Sequence, residues 1–235
     1  MCYSNSSTST TEQLAERYKK KIDDASLPGP VFHASGFSFP EWRIITTDES
    51  IQAMNWGLIP RWFRGENIND IASKTLNARW ETLYEKATFK DLIDVQRCIV
   101  PSTGFFEWQH VGKEKIPFFV FPKKDSQFSM AGIYSRWLNP KNGQELCSFS
   151  IITVEANELM SEIHNTKKRM PLCLSPEFES TWLTNKIAPK EISILPTDAW
   201  DAYRIDPKIV GSNNANCMKV IEEYHSPYGE QQSLF

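Results

Sequence analysis

Five short β-type runs crowd into one stretch of the chain: Arg97–Val100, Gly104–Gln109, Ile116–Phe121, Phe128–Tyr134 and Leu146–Val154. They are rich in β-branched and aromatic residues, which fit a half-buried pleated surface. Two further runs, Arg43–Thr46 and Ile51–Trp56, lie in an aromatic- and proline-rich segment from Phe32 to Trp62. Helical spacing is confined to four places. Thr10-x-x-Gln13 resembles a capping box, and Leu14, Tyr18 and Ile22 follow it at helical intervals, which predicts an amphipathic helix over 11–24. Glu81–Ile93 reads as a helix with Leu83, Phe89, Leu92 and Ile93 as its core face, and 156–163 and 176–184 read as two short ones. Strands and helices interleave without regular βαβ spacing, so the fold class is α+β rather than a doubly wound sheet.

Composition narrows the class of function. The 235 residues are 40% hydrophobic and 23% charged, which is ordinary globular composition and excludes disordered, collagenous and coiled-coil proteins. One domain over residues 2–222, with a mobile polar tail from 223 to 235, is the expected organisation. Lys and Arg total 26 against 29 Asp and Glu, a net charge of −3. A surface that coats nucleic acid by bulk charge is thereby excluded, and a nucleic-acid site must be a local patch. No apolar run reaches the roughly 18–20 residues of a membrane span, and the start MCYSNSSTSTTEQ has no apolar core of a secretory signal. Five cysteines, none in a C-x-x-C pair, read as free thiols in a reducing compartment. With four histidines they lack metal-ligand spacing, so the sequence predicts a cytoplasmic, monomeric protein with no metal and no organic cofactor.

Cys2 directly follows Met1. Removal of Met1 leaves an α-amine and a thiol on one residue, a reagent that no internal cysteine provides. Their unperturbed pKa values, about 7.7–8.0 and about 8.5, give both a reactive fraction near neutrality. The amine adds to an aldehyde to form a Schiff base, and the thiol then closes a five-membered thiazolidine ring.

This cysteine lies in the first of five segments. They are Met1-Cys2, Trp56-Gly57-Leu58-Ile59-Pro60-Arg61-Trp62, Leu76-Asn77-Ala78-Arg79-Trp80-Glu81-Thr82, Pro101-Ser102-Thr103-Gly104-Phe105-Phe106-Glu107-Trp108 and Ile163-His164-Asn165-Thr166-Lys167-Lys168-Arg169-Met170-Pro171. In this order they closely resemble the SRAP family, the SOS-response-associated peptidases that bind abasic sites in single-stranded DNA. The resemblance spans residue 2 to about residue 200. Three departures stand out. Cys2-Tyr3-Ser4 replaces a common C-G-R start, so an arginine phosphate contact at position 4 is absent. Four residues separate His164 from Arg169, more than in the common form. The segment Phe32–Phe37 diverges.

The resemblance implies a single SRAP-type domain, a barrel-like bifurcated sheet surrounded by helices, with roles for named residues. Cys2 is the crosslinking residue. Glu107, among aromatic neighbours, shuttles protons while the carbinolamine loses water. His164 titrates in the range needed to help open and close the sugar ring. Asn77 holds the new N-terminus and the opened sugar through its amide. Arg79 and Arg169 grip phosphates, with Arg61 and Lys168 as additions. Trp56, Trp62 and Trp108 offer faces for bases, and Pro40 is a further DNA contact. The implied activity is a thiazolidine crosslink to an abasic site in single-stranded DNA, with lyase activity when ring closure fails and self-removal of Met1. Two other readings stand beside it. One is a cysteine-nucleophile peptidase or amidohydrolase; the other is a non-catalytic reader of single-stranded DNA. The end of the chain, Gln231-Gln232-Ser233-Leu234-Phe235, resembles the short peptide by which bacterial proteins dock on the replication sliding clamp. Localisation near the nucleoid follows from that reading.

Overall fold

In a computed structural model, which describes residues 2–184 and 195–225, the chain forms two sheets that share a core. The elements run β1 (Ser4–Ser7), α1 (Thr11–Tyr18), β2 (Val31–Ser35), β3 (Glu41–Ile44), β4 (Gln52–Trp56), α2 (Ile68–Ala72), β5 (Asn77–Arg79), β6 (Arg97–Ser102), β7 (Gly104–Val111) and β8 (Glu114–Pro122). They continue with β9 (Phe128–Leu138), β10 (Glu145–Glu155), α3 (Glu158–Ile163), β11 (Arg169–Pro171), β12 (Cys173–Leu174), α4 (Glu179–Thr184), β13 (Trp200–Arg204) and α5 (Pro207–Val210). All five expected β-runs from 97 to 154 are strands. The β7–β8 hairpin turns through Gly112 and Lys113, and Gly112 takes φ +59°, which suits the first position of a two-residue hairpin loop.

One sheet has the order β13-β8-β7-β1-β2. The other has eight strands built around the long pair β9 and β10. That pair splays. β10 faces β9 from Glu145 to Ile151 and then turns its edge to β11 from Thr153 to Glu155. β9 meanwhile pairs with β12 at Ser129 and Met130. Leu172 sits at the fork, donating to Ile152 O and accepting from Ala131 N, each at 2.8 Å. The expected bifurcated sheet is therefore present, but among the described residues the two sheets do not close into a barrel.

The core lies between the sheets. Phe105 and Val120 of the first sheet meet Trp42, Met54, Trp56, Met130, Phe149 and Ile151 of the second in one buried cluster, and Cys2 belongs to it. β1 carries only Ser and Asn, yet all four residues are buried. Hydrogen bonds hold it there. Buried Arg43 donates to Ser7 O at 3.1 Å and Ser9 O at 2.7 Å, and Asn5 Nδ2 donates to Ser102 Oγ at 2.9 Å. Buried polar groups are tolerated when paired in this way.

Two helix expectations are corrected. Residues 81–93 form a short 3₁₀ turn at Trp80–Thr82 followed by successive turns. Leu83, Phe89, Leu92 and Ile93 are nevertheless buried, because mixed three- and four-residue turns still bring the same side chains inward. The helix over 11–24 ends at Tyr18, where Lys19 adopts the left-handed conformation (φ 52°). Its capping box of Thr10 and Gln13 is present as expected. Hydrogen bonding continues at least to Tyr224, whose N–H reaches Arg204 O at 2.8 Å. The chain end from 226, including Gln231–Phe235, lies outside the described residues.

Candidate active site at the buried first strand

β1 enters the first sheet between β7 and β2, in register Ser4↔Phe106 and Ser4↔Ser35. This pairing delivers Cys2 to the centre of the molecule, where it is fully buried. Its thiol lies 3.6 Å from Ser4 O, and Asn77 Nδ2 donates to Cys2 O at 2.8 Å. Asn77 stands on β5, opposite Ile151 of β10. The site is thus a seam: Cys2 and Glu107 come from the first sheet, Asn77 from the second. Asn77 Oδ1 is buried with no hydrogen-bond partner among the described residues, so an acceptor beside Cys2 is available to a ligand or to a new amine.

Glu107 follows Phe106 on β7, and its carboxyl is buried. Burial pushes its pKa up to about 7, so at neutral pH a large share of it holds a proton. His164 ends α3, with its N–H on Met160 O at 2.8 Å. Its Nδ1 lies 2.9 Å from Arg169 O and 4.0 Å from Glu107 Oε1. The Arg169 carbonyl favours a proton on Nδ1, with Nε2 as the basic nitrogen, while the Arg169 N–H reaches the same Nδ1 at the longer distance of 3.4 Å. Burial lowers the His164 pKa, against the pull of the Arg169 carbonyl. The Cys2 thiol is pushed well up, first by burial and then by the Glu107 charge. The arrangement therefore holds a protonated thiol, a proton-donating carboxyl and a neutral imidazole together.

The residues expected to touch DNA divide into three groups. Arg61, Arg79, Lys168 and Trp62 are exposed, and Trp62 is 52% accessible while donating Nε1 to Ala87 O at 3.2 Å. Trp108 and Pro40 are half-buried. Arg169 is engaged elsewhere, with its two terminal nitrogens on the Glu81 carboxylate at 2.7 and 2.9 Å and one of them on Thr153 O at 2.7 Å. Trp56 is corrected. It is wholly inside the core, donates Nε1 to Leu76 O at 2.8 Å and stacks on Phe149, which leaves no face for a base. Sequence reading passed over an aromatic pair next to Cys2. Tyr3 and Phe37 pack with ring centroids 5.0 Å apart, and Phe37 is 54% exposed. The Tyr3 phenol is raised by burial and by Glu107 and lowered by Arg79, so it sits within the field of both. An aromatic residue directly after the reactive cysteine was the available signal.

Comparison with known proteins agrees with this geometry. The sequence matches the SOS response associated peptidase (SRAP) family over residues 1–212. It is 36% identical over 212 residues to the abasic site processing protein YoqW of Bacillus subtilis, covering 86% of this chain and 91% of that one. It is 34% identical over 158 residues to the abasic site processing protein HMCES of Gallus gallus, covering 59% of this chain and 46% of that longer protein. A crystal structure of a Bacteroides thetaiotaomicron protein superposes with a TM-score of 0.90 at 39% identity, over 95% of this chain and all of that one. On these grounds the chain belongs to the SRAP family.

Proposed function

We propose that this protein processes abasic sites in single-stranded DNA by forming a thiazolidine crosslink through Cys2 once Met1 has been removed. The relatives named above as abasic site processing proteins support the substrate class. The chemistry follows from the seam. The deprotonated α-amine attacks the aldehyde carbon of the ring-opened sugar, forming the N–C bond, and the oxygen takes a proton. Glu107 donates the proton with which that oxygen leaves as water. The thiol then adds across the C=N bond: sulfur bonds carbon and the thiol proton passes to nitrogen. One water is lost overall and nothing is oxidised. His164, with Nε2 as base, moves the proton that opens the sugar ring. Asn77 Oδ1 accepts from the new amine.

The observation that carries this reading is the placement of Cys2: fully buried, with Asn77 on its carbonyl, on the seam that also holds Glu107 and His164. A cysteine protease needs its thiol pushed down to a thiolate, whereas burial and Glu107 push Cys2 up. Such a thiol is a poor first nucleophile and a suitable second one, which favours the amine-first route over a peptidase acting on other substrates. Arg61, Arg79 and Lys168 supply phosphate contacts. Arg169 reaches a phosphate only by leaving Glu81, and its present bonds suit it better to holding β11 beside His164. Tyr3–Phe37, Trp62 and Trp108 provide stacking faces, which read no sequence. The reading is tested by incubating Met1-free protein with matched abasic and intact single-stranded oligonucleotides and with added peptides. It predicts a denaturation-resistant adduct with the abasic strand alone and no peptide hydrolysis. Equal retention of both strands without an adduct overturns it in favour of a non-catalytic reader.

A further inference from the structure

The β1–β7 ladder stops at Ser4↔Phe106, but β7 runs on to Val111, paired with β8 on its other edge. Beyond Phe106, therefore, one edge of β7 has no strand partner among the described residues, and that edge runs past Glu107. The Asn165 side chain occupies it. His110 N–H donates to Asn165 Oδ1 at 3.1 Å, and Asn165 Nδ2 donates to His110 O at 2.9 Å. The carboxamide presents one donor and one acceptor as a peptide group does, so it extends the ladder by one step with a side chain. A second tie lies beside it, Gln109 Nε2 to Glu162 O at 3.1 Å.

Asn165 directly follows His164, which sits 4.0 Å from Glu107 on the same strand. The turn from 165 to 168 separates His164 from Arg169. It is exposed, and within it Lys168 takes the left-handed conformation at φ 49°. Within the turn Lys168 N–H closes on His164 O at 2.9 Å and the imidazole rests on Arg169 O at 2.9 Å, and Asn165 adds the tie from this turn to β7. We infer that Asn165 is a positioning residue: its carboxamide fastens the exposed 165–168 turn to β7 and thereby helps set His164 against Glu107 at the active site. The consequence for rate rests on the function proposed above; the anchoring does not.

The experiment compares Asn165→Ala, Thr166→Ala and His164→Ala with the parent, all in the Met1-free protein. By NMR, Asn165→Ala is expected to lose exchange protection at the His110 amide. It should also move the His164 titration back toward the ordinary histidine range, because the ring becomes more hydrated. The groups facing that ring are Glu107 and His110 on β7 and Arg169 on β11, and none of them is substituted. On an abasic oligonucleotide the variant should crosslink about tenfold more slowly at unchanged affinity, the scale expected from losing two modest hydrogen bonds and a reacting geometry. Adding Asn165→Ala to His164→Ala should bring no further loss. Thr166→Ala should match the parent throughout. An unchanged His110 amide and His164 titration overturns the anchoring. An equal effect from Thr166→Ala, or an additive loss in the double variant, overturns the specific role of Asn165. If the parent forms no adduct, the proposed function fails while the two NMR readouts still decide the anchor.

Discussion

The two sheets meet at the site but bring different things to it. The five-stranded sheet carries Cys2 and Glu107, both buried and both with pKa values raised by that burial. The eight-stranded sheet carries Asn77, Arg79 and Arg169, which hold a carbonyl, face solvent or pair with Glu81. The atoms that react in the proposed chemistry thus sit where water is excluded, and Arg79, the proposed phosphate contact, is exposed. On the proposed function, damage to Cys2 or Glu107 should change rates at preserved affinity, and damage to Arg79 should do the reverse.

The largest effect that tests this division is Cys2→Ala, for which no stable adduct is expected at all, with DNA binding retained. Cys2→Ser should leave only an adduct that borohydride traps. A heat-stable adduct in Cys2→Ala places the chemistry on another residue.

Glu107→Gln comes next, with crosslinking slower by about 10²–10⁴-fold, the usual weight of a general acid. Its pH dependence is more telling. The forward rate rises with pH as the amine loses its proton and falls as Glu107 ionises near pH 7. The profile is therefore a bell, and the glutamine variant should lose the high-pH fall. Stability carries the same signature with a definite sign. A carboxyl whose folded pKa exceeds its unfolded value binds more protons when native, so stability falls as pH rises from about 4.5 to about 7 and is level above. Denaturant melts of the parent and Glu107→Gln across that window should diverge as the parent declines. Parallel curves mean that the Glu107 carboxyl is not held up by burial.

Arg79→Ala tests the other sheet. It should weaken binding to all sequences alike and reduce the salt slope by about 1, with the rate in the bound complex unchanged. Loss that depends on sequence contradicts a phosphate contact. The smallest effect is expected for Trp62→Ala, a loss of about 1–3 kcal/mol in affinity with an unaltered melting temperature. Trp56→Ala should instead lower stability by about 3–5 kcal/mol as a core truncation. Reversal of that pair of results would return Trp56 to the surface.

The same contrast explains what the sequence disclosed. Strands β6 to β10 were legible because long aromatic and β-branched runs announce themselves. β1 was not, since Ser4-Asn5-Ser6-Ser7 shows no apolar alternation; it is buried by hydrogen bonds to Arg43 and Ser102, and such bonds leave no local pattern. Cys2, Asn77, Glu107 and His164 were identified through the family resemblance, and the structure brings them to one seam. The fate of Trp56 was not legible. A tryptophan is equally at home in a core or under a base, and only the course of β4 beneath Phe149 decides. The role of Asn165 was hidden for a related reason, because its partner is the backbone of a residue 55 positions away.

The central claim is that the amine and the thiol of Cys2 together close a thiazolidine ring on the aldehyde. The direct measurement is the intact mass of the adduct between Met1-free protein and an abasic single-stranded oligonucleotide, taken with and without borohydride. The account predicts a mass one water below the sum of the two molecules, unchanged by borohydride because ring closure has consumed the imine. An adduct equal to the full sum, or one that gains two hydrogens under borohydride after the reaction is complete, contradicts it.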